Sequence, residues 1–169
     1  MENEFPKRKS PRLQGFDYNR EGIYFITICT KDRRCILSRI VVTGVPDCPQ
    51  IDLTNYGKFA EKYIKQLNEF YNHISIESYV IMPNHIHILL FVKEDGQSRT
   101  PVPTTRANTV ISQFISTFKR FCNKEYGENI WQSRFNDHII RNRDDYEKHL
   151  RYIFENPMCW YYDEFYIEE

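Results

Sequence analysis

Two histidines, His85 and His87, are the residues of this sequence whose types and spacing most directly suggest chemistry. They lie in the run from Asn84 to Leu90, which is rich in isoleucine and leucine and predicts a strand. Side chains two positions apart project to one face of a strand, so both imidazoles can reach one ion while Ile86 and Ile88 point into a core. Neutral imidazoles on a rigid strand suit a divalent metal. Taken alone, the pair is weak evidence, because two histidines at this spacing more often share a face without a function.

Tyr152 and Asn156 form a second candidate pair, within the run Tyr152 to Pro157. Positions four apart share one helix face, so the two side chains project side by side. The phenol can act as a nucleophile, and the amide oxygen is a hard ligand suited to Mg²⁺ or Mn²⁺. The spacing by itself also fits a core tyrosine and an asparagine that caps a helix before a proline.

The elements that must position these residues follow from the apolar periodicity and the turn residues. The predicted order is β-α-β-β-α-β-α, which belongs to the α+β class. It indicates a ferredoxin-like split βαβ with an antiparallel sheet and helices on one face, and an extra C-terminal helix that carries Tyr152. Residues 41–54 predict a loop or hairpin excursion, and residues 96–105 a flexible insertion. The predicted strands are 23–30, 74–81, 85–92 and 138–141; the predicted helices are 55–71, one from Val110 to near Gly127, and one from near Asp144 to before Pro157.

The 169 residues are enough for one domain with its own core. We expect an arm at 1–20, the domain at 21–160 and a short acidic tail at 161–169. Five cysteines without a CxxC pair argue against a disulfide framework and a thiolate zinc site, and favour a cytoplasmic protein. The longest apolar run, Ile88 to Val92, is too short to cross a bilayer, so no membrane partner is expected. The net charge of zero leaves only local basic patches to attract phosphates.

Several segments together resemble the signature of a known family. They are the run Tyr79 to Leu90 (YVIMPNHIHILL), Ile130 to Phe135 (IWQSRF), Asp137 to Arg141 (DHIIR), and Tyr152-Ile153 with Asn156-Pro157. In this order and spacing they resemble the IS200-like transposases, and most closely the REP-associated tyrosine transposases, which use an HUH histidine pair. The resemblance extends from Ile23 to Pro157.

The resemblance implies a function and a role for each motif residue. His85, His87 and Asn156 would bind Mg²⁺ or Mn²⁺, and Tyr152 would be the nucleophile. The activity implied is cleavage and rejoining of single-stranded DNA beside a hairpin through a 5′-phosphotyrosine. IS200-type members carry glutamine at the third ligand position, whereas this chain resembles the REP-associated kind in carrying asparagine. A monomer and a homodimer both remain open.

DNA contacts are expected from local basic residues, since phosphates need cations. Arg134 and Arg141 lie inside the motifs that resemble the family. The other candidates are Lys7, Arg8 and Arg12 in the arm and Lys119, Arg120 and Lys124 on the predicted second helix.

Two rival functions stay open. One is a catalytically inactive regulator that binds single-stranded DNA, and the other is a metal-dependent hydrolase that uses water in place of Tyr152. His138 is a candidate general base, but its position beside Ile139 and Ile140 favours a structural histidine on a strand. His73 and His149 have no chemical context in the sequence.

Overall fold

The computed structural model describes residues 20–41, 49–93 and 109–167. The predicted order of strands and helices is confirmed, with one additional hairpin inserted after the first strand. Two short 3-10 turns, Lys31–Arg33 and Trp160–Tyr162, complete the described elements. The longer elements are β1 (Gly22–Cys29), β2 (Ser38–Val41), β3 (Gln50–Leu53), α1 (Asn55–Phe70), β4 (Ile74–Ile81), β5 (His85–Val92), α2 (Val110–Tyr126), β6 (Asn136–Ile140) and α3 (Arg143–Glu155).

The main sheet has four antiparallel strands in the order β4-β5-β1-β6. β1 and β5 are its central pair, and their register places Thr27 opposite His87. On the other side of β1, Phe25 lies opposite His138 of β6. The sheet therefore places β1 directly beside the histidine strand and β6 one strand further away.

Each face of the sheet packs against different helices. On one face, Ile86 and Ile88 join the core formed with α1 and α2, as the alternation of the strand predicts. The opposite face carries Phe25 and Leu89, which pack with Ile153 of α3. α3 therefore covers the face of the sheet to which His85 and His87 belong, which brings the two candidate pairs of the sequence together.

Local signals explain where the helices begin and end. Thr54 caps α1 by accepting a hydrogen bond from the backbone N–H of Gly57, and Thr109 caps α2 in the same way. Gly127 ends α2 with a φ of 73°, a left-handed conformation that glycine adopts without a steric penalty. Asn142 caps α3 by accepting from the N–H of Asp145. α3 thus begins and ends close to the predicted positions.

The differences from the sequence-based expectations are local. The excursion predicted at 41–54 is a hairpin whose strands, β2 and β3, begin earlier, at Ser38, and form a separate two-stranded sheet. β6 begins at Asn136, two residues before the predicted stretch. The insertion predicted at 96–105 lies outside the described residues. Among the helices that the structure describes, none combines the length and the apolar character needed to cross a membrane.

Candidate active site

The two histidines of β5 lie buried under α3 and the segment that follows it. The exposed fraction of His85 is 0% and that of His87 is 2%, which is unusual for polar side chains. Their ring centroids are 4.5 Å apart. Tyr152 of α3 lies over His87, with ring centroids 5.2 Å apart. The structure therefore places the histidine pair and the predicted nucleophile in one site.

One nitrogen of each imidazole is engaged in a hydrogen bond. His85 Nδ1 lies 2.8 Å from Oδ1 of Asn84, and His87 Nδ1 lies 2.9 Å from the hydroxyl of Thr27. The other nitrogen, Nε2, is buried without a partner among the described residues in both cases. This is the arrangement of metal-binding histidines, in which an outer hydrogen bond to Nδ1 orients the ring and Nε2 offers its lone pair.

Asn156 supplies a third buried atom of the same kind. The residue is 2% exposed and follows the last turn of α3. Its amide nitrogen donates to Oδ2 of Asp163 at 2.8 Å, whereas its oxygen Oδ1 is buried without a partner among the described residues. Buried polar atoms without partners are rare and point to a ligand. Two imidazole nitrogens and one amide oxygen form a donor set that fits a divalent cation.

Asp163 is the site residue that sequence analysis missed, because it lay in the predicted acidic tail. One of its carboxylate oxygens accepts hydrogen bonds from the amide of Asn156 and from the phenol of Tyr152, at 2.8 and 3.3 Å. It can also offer a ligand atom within 4.8 Å of the nearest ligand atoms of His85 and His87. This distance makes the carboxylate a candidate fourth ligand. No local pattern in the sequence identified Asp163, since its partners lie on other elements.

The segment after α3 covers the site instead of extending from it. Phe165 is 7% exposed, and its ring packs on His85 with centroids 4.7 Å apart. Trp160 is 6% exposed and belongs to the core on this face of the sheet. The expected tail at 161–169 thus includes residues that are part of the packed structure, at least as far as Phe165.

Burial sets the protonation states of the histidines. It lowers the pKa of His85 to about 3, with a smaller contribution from the charge of Arg33. Burial also lowers the pKa of His87 well below its usual value, and the neighbouring His85 adds to the effect. Desolvation disfavours the imidazolium form, so both rings are neutral near pH 7. Neutral imidazoles are the form that binds metals.

The pKa of the Tyr152 phenol is raised, which disfavours the phenolate form that a nucleophile requires. Burial raises its pKa above the usual value of 10, and the negative charge of Asp163 raises it further. Its side chain is nevertheless 38% exposed, and it lines a cleft of about 870 Å³ together with Thr27, His87 and Asn156. The side chain of Tyr152 can be reached from the cleft, but its phenol needs help to lose its proton.

A second group of titratable residues lies beside the cleft. His138 of β6 and His149 of α3 stack with ring centroids 4.6 Å apart, and both contact the carboxylate of Asp145. His149 also packs against Phe25 and lines the cleft, whereas His138 is exposed. Asp145 in turn accepts from the backbone N–H of Arg141 at 3.1 Å. These bonds give both histidines a structural role at the start of α3, which is one of the alternatives left open for His138.

Comparison with known proteins relates the chain to bacterial transposases. No family model matches. A Haemophilus influenzae protein assigned as a REP-associated tyrosine transposase is 30% identical over 146 residues, which are 84% of this chain and 73% of the relative. The chain belongs to this family. An uncharacterized protein of the same organism is 28% identical over 175 residues, covering 95% of this chain and 94% of the relative.

A solved structure of a REP-associated tyrosine transposase bound to a REP hairpin shares the fold, with a TM-score of 0.62. Its sequence identity to this family member is 23%, and the match covers 90% of this chain and 77% of the solved one.

The predicted DNA contacts are distributed over several surfaces. Arg120, Arg134 and Arg141 are exposed, and Arg141 lines a second, smaller cleft with Phe91. Lys119 has a structural task, because its ammonium group donates to the backbone carbonyls of Gln132 and Arg134 at 2.7 and 3.1 Å. Lys124 is exposed near the end of α2. The candidates of the arm, Lys7, Arg8 and Arg12, lie outside the described residues.

Proposed function

We propose that this family member is a metal-dependent enzyme that cleaves and rejoins single-stranded DNA through a 5′-phosphotyrosine. The observation that carries the proposal is a set of three buried atoms, His85 Nε2, His87 Nε2 and Asn156 Oδ1, that have no partner among the described residues. His87 and Asn156 line the same cleft as Tyr152. The fold is consistent with it: the order β4-β5-β1-β6 is the order expected of a ferredoxin-like split βαβ. Tyr152 lies on the added C-terminal helix.

The proposed metal site consists of His85, His87 and Asn156, with Mg²⁺ or Mn²⁺ as the ion. Such an ion, when bound, supplies Lewis-acid stabilisation of the charge on the reacting phosphate. Asn84 and Thr27 hold the two imidazoles through Nδ1, so that the ligand atoms are oriented before the ion arrives.

Tyr152 is the proposed nucleophile. Its oxygen forms a bond to phosphorus while the bond from phosphorus to the 3′ oxygen breaks, and the 3′ oxygen leaves with a proton from solvent. The phenol proton passes to Asp163, the carboxylate to which the O–H group donates. The bond energy stays in the phosphotyrosine, so a 3′ hydroxyl of another strand can reverse the reaction and rejoin the DNA.

The proposed substrate is single-stranded DNA next to a hairpin. The relative solved with a REP hairpin supports this substrate, because it shares the fold of this chain. Arg134 and Arg141, which are exposed, and Arg120 on α2 are the proposed phosphate contacts among the described residues. Arg8 and Arg12 remain sequence-based candidates for the same role. Lys119 is a further candidate, because its ammonium group has three N–H donors and uses two of them for backbone carbonyls.

The test is incubation of 5′-labelled and 3′-labelled single-stranded hairpin libraries with the protein and Mn²⁺, followed by denaturing gels. Tyr152→Phe is the test variant, and Tyr161→Phe is its matched control because Tyr161 is 60% exposed. A protein-linked 3′-labelled fragment with the wild type and Tyr161→Phe, but not with Tyr152→Phe, is the expected result. Cleavage that survives in Tyr152→Phe indicates the water-dependent hydrolase instead. Hairpin binding by a metal-loaded wild type that forms no covalent species indicates the inactive regulator.

A further inference from the structure

The side chain of Asn84 connects His85 to the segment that covers the site. Asn84 is 1% exposed. Its amide nitrogen donates to the backbone carbonyl of Phe165 at 2.7 Å, and its oxygen lies 2.8 Å from His85 Nδ1. A carbonyl only accepts, so the nitrogen of the amide must face Phe165 and the oxygen must face His85. The hydrogen between Asn84 and His85 is therefore on Nδ1 of His85.

This assignment decides whether His85 can bind a metal. In a neutral imidazole one nitrogen carries the hydrogen and the other carries the lone pair. Because Nδ1 donates to Asn84, the lone pair of His85 is on Nε2, the atom that has no partner among the described residues. An amide turned the other way would donate to Nδ1 and place the hydrogen on Nε2, where it blocks the ligand position.

The second histidine has no such constraint. His87 Nδ1 lies 2.9 Å from the hydroxyl of Thr27, which can donate or accept. Thr27 therefore positions the ring of His87 without selecting its tautomer. Only at His85 is the tautomer selected by a group that is itself oriented from elsewhere in the described fold.

The segment that orients Asn84 is attached to the site at a second point. Asp163 accepts from the backbone N–H of Phe165 at 2.7 Å through one oxygen and from the amide of Asn156 at 2.8 Å through the other. Residues 163–165 are thus bonded to one proposed ligand directly, Asn156, and to a second one, His85, through Asn84. The docking of the segment and the geometry of the site depend on the same hydrogen bonds.

We propose that Asn84 is a positioning residue that couples metal binding to the docking of residues 163–165. Withdrawal of the Phe165 carbonyl frees the amide of Asn84 to rotate, and the tautomer of His85 that binds metal is no longer enforced. Coupling of binding equilibria is reciprocal, so a bound ion holds the segment more tightly against the site. The inference rests on the metal site of the proposed function, but not on the cleavage activity.

Two substitutions at one position separate the two bonds of Asn84. In Asn84→Asp the carboxylate still accepts from His85 Nδ1 but cannot donate to Phe165. In Asn84→Leu, which is close in size, both bonds are lost. Asn123→Leu is the matched control, because the side chain of Asn123 also donates once and accepts once, to Asn129 and from Ile130, and belongs to α2.

The readouts are the Mn²⁺ dissociation constant by calorimetry without DNA and the hydrogen exchange rates of the amides of Phe165 and Tyr166, which donate to Asp163. In the wild type and Asn123→Leu, Mn²⁺ should slow this exchange. Asn84→Leu should bind Mn²⁺ about 10- to 100-fold more weakly. Asn84→Asp should keep the Mn²⁺ affinity within about threefold of wild type, since carboxylates also orient metal-binding histidines. The same variant should lose most of the slowing of hydrogen exchange that Mn²⁺ causes in the wild type.

Other outcomes overturn the inference in distinguishable ways. Equal Mn²⁺ affinity of wild type and Asn84→Leu, or equal slowing of exchange in wild type and Asn84→Asp, refutes the coupling alone. If Asn84→Leu does not fold, the exchange comparison in Asn84→Asp still decides. A wild type that binds no Mn²⁺ refutes both the coupling and the metal site. A wild type that shows the coupling but forms no phosphotyrosine leaves the coupling intact and refutes the proposed activity.

Discussion

The amide of Asn156 donates to the carboxylate of Asp163 at 2.8 Å, and this bond turns the amide oxygen away from Asp163. The oxygen is then the only polar atom of the side chain left to bind an ion, and it is buried without a partner among the described residues. The same carboxylate accepts from the phenol of Tyr152. One aspartate thus orients both the proposed ligand and the proposed nucleophile.

The first prediction concerns the third ligand. Asn156→Leu removes the amide oxygen, so the Mn²⁺ affinity should fall about tenfold or more, measured by calorimetry. Phe154→Leu is the control, because Phe154 is on the same helix and 68% exposed, and it should bind Mn²⁺ like the wild type. If Asn156→Leu keeps its affinity while Asp163→Asn loses it, the carboxylate and not the amide is the third ligand.

The second prediction concerns the acidity of the nucleophile. Asp163→Asn removes a negative charge that raises the pKa of Tyr152, so this pKa should fall, yet it should stay above 10 because burial is the larger cause. The measurement is an NMR titration of tyrosine labelled at the ring carbon, with the signal assigned through Tyr152→Phe. Asp144→Asn, an acidic residue of α3 that also lines the cleft, is the control and should leave the pKa unchanged. An unchanged pKa in Asp163→Asn would contradict the observed bond.

The third prediction concerns stability against pH in the metal-free protein. The folded-state pKa values of His85 and His87 lie below the unfolded value of 6.5, so the unfolded chain binds more protons as the pH falls. Their contribution to the free energy of unfolding is complete above about pH 6.5 and decreases below it, for His85 down to about pH 3. Each histidine adds a slope of at most about 1.4 kcal/mol per pH unit.

Chemical denaturation between pH 4 and 8 with a chelator present checks this slope. The double variant with His85→Gln and His87→Gln should show a shallower decline than the wild type, because the other titrating groups are common to both proteins. Identical slopes would mean that the two rings take up protons equally in the folded and unfolded states, which contradicts the lowered pKa values.

The fourth prediction concerns the fit of α1 against the chain before β2. A methyl group added at Gly57 would clash with the backbone oxygen of Leu37. Gly57→Ala should therefore destabilise the fold by about 1–3 kcal/mol, although alanine usually stabilises a helix relative to glycine. Gly22→Ala is the control, since the atoms nearest to its added methyl belong to the side chain of Tyr24 and lie at 3.6 Å or more, which is ordinary contact. Thermal unfolding that is the same for both variants would show that the two segments do not approach so closely.

The fifth prediction concerns the different roles of the neighbouring residues Lys119 and Arg120. Burial lowers the pKa of Lys119 to about 8, and its ammonium group holds the backbone of residues 132–134. Lys119→Met removes two hydrogen bonds from a charged donor to exposed carbonyls, so it should lower the free energy of unfolding by about 1–2 kcal/mol. Arg120→Met should change it by less than about 0.5 kcal/mol, because the side chain is exposed.

The salt dependence of hairpin binding gives the complementary result for this pair. If Arg120 contacts a phosphate, its loss should weaken binding and reduce the slope of log affinity against log salt by about one. A large loss of stability in Arg120→Met, or none in Lys119→Met, would reverse the assignment.

Local patterns in the sequence determined the elements and the two candidate pairs. The alternation around His85 and His87 sufficed to predict one strand with both rings on one face. The spacing of Tyr152 and Asn156 sufficed to predict that they share one face of a helix. These relationships span two to four residues, where backbone geometry alone decides which side chains are neighbours. The order of the elements was predictable for the same reason.

The tertiary structure decided which distant groups complete the site. Asp163, and Phe165 with its bond to Asn84, lie in the stretch that was predicted to be an acidic tail. Lys119, predicted as a DNA contact, holds backbone carbonyls of the loop before β6. Asn84 and Phe165 are separated by 81 positions, so no periodicity relates them. Their roles arise only when the packing of α3 and the following segment against the sheet excludes water, because a buried polar group must then find its partner within the protein or in a ligand.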